Sequence, residues 1–153
     1  MSAIVWRAHA DDRADALAAA NLNGIRLILV ALPPGANPDH ADLDLRFWNS
    51  LHVAAILAEI TADPVRAGQI FRVRGGIRVP AGNLPGQVSV IEVSAGLDAT
   101  RLNLRVEPVG DYSTYPLELV WDASRIDPFF ASLGFKFRPG CFTNDCAPQL
   151  PGR

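Results

Sequence analysis

Lysine is almost missing from this 153-residue chain: Lys136 stands alone against 13 arginines. The arginines are scattered along the sequence, which fits a codon preference better than a binding surface. Neither sign of charge is in excess, with a formal net charge of −2. That balance excludes the electrostatic footprint of a nucleic-acid binder and gives no attraction to an anionic membrane. No apolar run approaches the roughly 20 residues that a membrane-spanning helix needs. The start, MSAIVWRAHADDR, lacks a basic opening and a continuous apolar stretch, so it does not read as a secretory signal. The expected place of synthesis is the cytoplasm, where cysteines are normally thiols.

Cysteine is scarce too. Cys141 and Cys146 are the only two, and His9, His40 and His52 are remote in sequence without metal-ligand spacing. A closed structural zinc site needs four ligands, so the pair is a weak metal candidate within one chain. Two thiols packed in a hooked tail, or a local disulfide formed after release into oxidising surroundings, are simpler readings. No cofactor is expected.

What the chain does have is period-two patterning. Ile25–Leu32 is nearly continuous apolar sequence, as in a strand buried on both faces. Leu43, Leu45 and Phe47 alternate with polar residues; so do Phe71 and Val73, Leu102, Leu104 and Val106, and Tyr115, Leu117 and Leu119. Alternation places each apolar set on one sheet face. Between Gln87 and Val93 the phase slips at Val90-Ile91, which predicts a bulge. Gly75-Gly76 permits a tight turn into a strand at Ile77–Val79. Two stretches read as helix: residues 10–22, capped by Asp11 or Asp12 and stopped by Asn23-Gly24, and a short segment capped by Ser50 with Val53, Ile56, Leu57 and Ile60 on one face. The expectation is a mainly β domain: an immunoglobulin-like antiparallel β-sandwich of about seven strands with one or two short helices. It spans residues 1–140, with 141–153 as a cysteine-bearing tail or linker.

No constellation meets the standard of a catalytic site. Asp11, Asp12 and Asp15 suit the start of a helix, and Asp42 and Asp44 the solvent face of a strand. Ser113 and Thr114 are turn residues with no histidine nearby, and Gly75-Gly76 lacks a phosphate-cradle context. Trp48 and Trp121 are the candidates for an exposed contact, either with protein or as a glycan or peptide platform.

The segment Gly110-Asp111-Tyr112-Ser113-Thr114-Tyr115-Pro116-Leu117-Glu118-Leu119-Val120 is the most distinctive of the chain. It is followed in order by Asp127-Pro128, the Phe135-Lys136-Phe137 strand and the cysteine pair, and preceded by Arg72-Val73-Arg74-Gly75-Gly76-Ile77-Arg78. In this order the chain resembles the N-terminal region of the large baseplate assembly proteins of contractile, phage-tail-like injection systems. The resemblance implies a structural, non-enzymatic role with other baseplate, spike or sheath proteins as partners. It implies no nucleic acid, no membrane insertion, and a final location in a phage-tail-like particle. Members of that family are several times longer, so this chain is expected to be a piece of a longer protein, a split gene product or a stand-alone relative. Cys141 and Cys146, with the two tryptophans, are the residues left as candidate contacts. A free-standing binding module for a glycan or peptide, or a cysteine-pair metal or redox protein, are the alternatives.

Overall fold

A computed structural model describes residues 4–7 and 14–138. Its elements in chain order are β1 (Ile4–Arg7), α1 (Ala14–Ala19), β2 (Ile25–Ala31), β3 (Ala41–Phe47) and α2 (Val53–Ala62). A 3-10 turn at Pro64–Arg66 and the single-turn helix α3 (Ala67–Ile70) follow, then β4 (Phe71–Val73), β5 (Ser89–Ala95), β6 (Arg101–Glu107) and β7 (Tyr115–Leu119). A second 3-10 turn at Pro128–Phe130 leads into β8 (Ser132–Phe135). All strand pairs are antiparallel, in a five-stranded sheet ordered β1-β2-β3-β6-β5 and a three-stranded sheet ordered β4-β7-β8. The mainly β architecture with short helices is the one the alternating patterns predict.

Apolar alternation sets the register. Val30, Leu43 and Leu104 stand in one cross-strand row, and Ile28, Leu45 and Leu102 in the next. All six are buried. A slip of one residue on any of these strands would turn its apolar set to water, so the register is strongly specified. On β5 the pairing passes from Val90↔Val106 to Glu92↔Arg105 and Val93↔Leu104. The extra residue, Ile91, is the bulge that the phase slip predicts, and it keeps both Val90 and Val93 turned toward the core.

The three-stranded sheet faces this one with Phe71, Val73, Tyr115, Leu117, Leu119 and Phe135. Val53, Ile56 and Ile60 of α2 join residues of both sheets in a single core. β8 lies against β1 and β2, while β4 and α3 lie against β5, so the sheets approach each other at both sides. Burial of each large apolar side chain contributes about 1.5–3 kcal/mol, and the long-range pairing of these rows gives the fold its definition.

Four local expectations are corrected. The first helix ends earlier than expected, at Ala19, because Asn21 adopts a left-handed conformation (φ 59°); Asp11 and Asp12 lie outside the described residues. α2 is entered through His52 (φ 68°), not capped by Ser50. Ile77–Val79 form no strand: after Gly75 (φ 83°) and Gly76 (φ 88°) the chain stays irregular. Asp44 is half-buried between Arg46 (3.3 Å) and Arg101 (3.8 Å), whereas Asp42 is exposed as expected. Among the described residues no helix is long and apolar enough to cross a membrane.

Candidate functional site

The two glycine-bearing motifs, separated by more than thirty residues in sequence, meet at Tyr115. Its ring is fully buried beside Phe135 and Phe137, with centroids 6.2 and 5.0 Å away. A buried phenol needs partners for its hydroxyl. This one donates to the Val79 carbonyl (2.6 Å) and accepts from the Asp111 N–H (2.9 Å). Burial, the largest influence, raises the Tyr115 pKa and keeps the donor protonated.

Space for the ring comes from glycine. A Cβ on Gly110 would stand 2.5 Å from the Tyr115 ring, and one on Gly76 would stand 2.8 Å from it and 2.3 Å from the Val79 oxygen. Gly76 is needed twice over, since its φ of 88° is also the left-handed region that glycine tolerates. Gly110 is needed for room alone; the turn does not place it at positive φ.

Asp111 closes the arrangement. One carboxylate oxygen accepts from three consecutive backbone N–H groups, Ile77 (2.9 Å), Arg78 (2.6 Å) and Val79 (3.0 Å). Successive amides curled around an anion form a nest, which supplies in place what a strand partner would have supplied. The other oxygen accepts from the Ser113 N–H (2.8 Å) and the Ser113 hydroxyl. Desolvation pushes the carboxyl pKa upward. The Ser113 hydroxyl and the Val79, Ser113 and Ile77 amides outweigh it and hold Asp111 well below the usual carboxylate range. Thr114 sits so close to β8 that a Cβ on Gly134 would meet its methyl at 2.9 Å. Gly110, Asp111, Ser113, Thr114, Tyr115, Phe135 and Phe137 therefore form one lock joining the 75–80 loop to the three-stranded sheet. Tyr112 is half exposed at its rim, with the Arg138 guanidinium 5.8 Å from its ring, and Lys136 is half-buried.

Asp127 and Pro128 belong elsewhere. Asp127 accepts from the Phe129 N–H (2.8 Å) and Pro128 opens the 3-10 turn. The Asp127 N–H in turn reaches the Asn23 carbonyl (2.9 Å), and Asn23 is the one fully buried polar side chain among the described residues. Its amide donates to the carbonyls of Asn49 (2.9 Å) and Leu51 (2.7 Å), and its side-chain oxygen accepts from the N–H groups of Gly24 and Asn49. Asn23 thus ties three connections together. Sequence reasoning saw Asn23-Gly24 only as a helix stop; no local signal marks a long-range hub.

Trp48 and Trp121 are both half-buried. Trp48 meets Phe130 edge-on at 5.2 Å with Arg26 over its ring at 5.6 Å. Trp121 is flanked by His52 (5.8 Å) and by Arg125 (5.7 Å). Each indole thus has a guanidinium over its ring and one aromatic neighbour beside it. Hollows of about 420 and 280 Å³ adjoin the Asp127–Phe130 turn, the first lined by Val120, Trp121 and Ile126, the second by Leu17, Leu22 and Phe129. Among the described residues His40 bonds Asp39 and Arg105, and His52 bonds the Asn21 carbonyl, so neither imidazole is hydrogen-bonded to a hydroxyl nucleophile. No group of three His, Cys, Asp or Glu side chains converges there either. Cys141 and Cys146 lie outside the described residues.

Compared with known proteins, residues 1–135 match the family model described as phage baseplate assembly protein, N-terminal domain. The match covers the glycine pair, the whole Gly110–Tyr115 turn and Asp127-Pro128, and stops short of Lys136, Phe137 and the cysteines. No curated protein and no solved structure matches the chain.

Proposed function

The chain belongs to the family of phage baseplate assembly protein N-terminal domains, and from that premise we propose that it is a non-enzymatic part of the baseplate of a contractile, phage-tail-like injection particle. A structural role in a phage baseplate is what membership itself carries. The finer reading is that the domain holds neighbouring baseplate, spike or sheath subunits by protein–protein contact, after synthesis in the cytoplasm. The domain runs to about residue 140, with 141–153, including Cys141 and Cys146, as a tail or linker. Two facing antiparallel sheets support the immunoglobulin-like reading.

One observation carries the reading: the residues of the distinctive Gly110–Tyr115 turn are spent on architecture. Tyr115, Asp111 and Ser113 satisfy one another and the backbone, leaving no activated group. Against a glycan-binding reading stands the guanidinium over each indole, Arg26 on Trp48 and Arg125 on Trp121. The test is sedimentation of a native lysate through a density gradient. The chain should travel with sheath and tube proteins in the heavy fractions; recovery only as a free small protein would defeat the proposal.

A further inference from the structure

Strand β5 changes character halfway along. Its pairing with β6 fixes which backbone groups face outward. Phe47 N–H donates to the Thr100 carbonyl and Gly96 N–H to the Arg101 carbonyl. Antiparallel hydrogen bonds alternate between neighbouring residues, so Leu102 and Leu104 turn their backbone groups toward β3, and Arg101, Asn103 and Arg105 turn theirs toward β5. On β5, opposite Val106, Leu104 and Leu102, the residues Val90, Val93 and Ala95 therefore point N–H and C=O away from the sheet.

The first of these is covered: α3 lies beside β5, and a Cβ on its Gly68 would come within 3.2 Å of the Val90 oxygen. Beyond the Ile91 bulge, among the described residues, no backbone group other than those of β6 bonds Val93 or Ala95. Glu92, Ser94 and Ala95 are exposed, as is Ile91 (46%); Leu97 (89%) follows β5 by two residues, and Val65 (72%) belongs to the 3-10 turn that lies against β5. The carbonyl of Ala95 has only a 3.5 Å approach from the Asn103 amide. An outward row of peptide groups bordered by exposed apolar side chains is a template for one more strand.

We infer that the Ile91–Ala95 edge of β5 accepts an extended segment of another subunit as an added strand, with a cationic residue opposite Glu92 and apolar residues toward Val65 and Leu97. Charge selects this occupant. Glu92 is exposed and has no ion-pair partner among the described residues, whereas Asp98 is paired with Arg101 and Glu107 with Arg105. A second copy of this chain, pairing Val93 and Ala95 edge to edge, would set Ser94, Gly96 or Asp98 opposite Glu92, none of them a cation. The inference rests on the baseplate reading only for where the partner comes from; the edge can be tested without the particle.

The probe is the capped hexapeptide Thr-Val-Lys-Val-Thr-Val added to the full chain, with backbone amide hydrogen exchange as the readout. It should protect the Val93 and Ala95 amides by at least about tenfold. The same peptide with Glu for Lys should protect less, and Glu92→Lys should reverse that preference. Ala95→Pro removes an outward N–H while leaving the β6 ladder intact, so it should abolish protection without opening the core amides. A peptide N-methylated on its pairing edge should fail. The inference is overturned by no protection at millimolar peptide, by equal binding of the N-methylated peptide, or by protection that rises with protein concentration alone. Sedimentation apart from the particle would sink the baseplate reading and leave a positive peptide result standing.

Discussion

The Tyr115 hydroxyl donates a 2.6 Å hydrogen bond to the carbonyl of Val79, which precedes it by 36 residues. That single bond fastens an irregular loop to the first residue of β7, and the same hydroxyl accepts from Asp111. Tyr115→Phe keeps the ring but leaves a buried carbonyl and amide without partners. The expected loss is about 1–3 kcal/mol, read by chemical denaturation with an unchanged fold by circular dichroism. Tyr115→Ala should cost more, about 3–5 kcal/mol, because the aromatic volume goes as well.

Gly110 separates space from conformation. Its Cβ would collide with the Tyr115 ring, whereas Gly86, at φ 84°, has nothing within 4 Å. Gly110→Ala should cost about 1–3 kcal/mol by overpacking. Gly86→Ala carries only left-handed strain, about 1–2 kcal/mol. The double variant Gly110→Ala with Tyr115→Leu should recover part of the first loss, while Gly86→Ala with Tyr115→Leu should show no such coupling; thermal denaturation distinguishes them.

Acid should release the Asp111 nest. Its folded pKa lies below the ordinary carboxylate value, so folding favours the ionised form. The associated stability is complete above the unfolded pKa of about 4 and is lost as pH falls toward the depressed folded value. Denaturation midpoints should therefore decline below pH 4. Asp111→Asn should lower stability at pH 7 and flatten that decline, since its amide cannot accept at every position the carboxylate fills.

Asn23 should be intolerant in a graded way. Asn23→Ala strands the carbonyls of Asn49 and Leu51, at about 1–3 kcal/mol for a buried polar group left unpaired. Asn23→Asp should be worse, because an acceptor-only carboxylate would face those two carbonyls. Equal stability of the two variants in urea denaturation would show that the donated bonds carry little.

Much of this was legible in the chain. Alternation at Leu43–Phe47, Leu102–Val106 and Tyr115–Leu119 located β3, β6 and β7, and the slip at Val90-Ile91 located the bulge. Strand order and long-range partners were not legible. Ile77–Val79 alternates like a strand, yet a carboxylate from residue 111 satisfies its amides instead. Likewise the role of Asn23 depends on two loops that approach it from residues 49–51 and 125–127. Such competition between side chain and ladder for the same N–H groups leaves no local pattern.

Cross-linking mass spectrometry of purified particles containing the tagged chain tests the central claim most directly. The account predicts reproducible cross-links from this domain to other baseplate proteins, lost when Tyr115→Ala unlocks the fold. Intact particles that contain none of this chain, or a chain cross-linked only to itself, would contradict it.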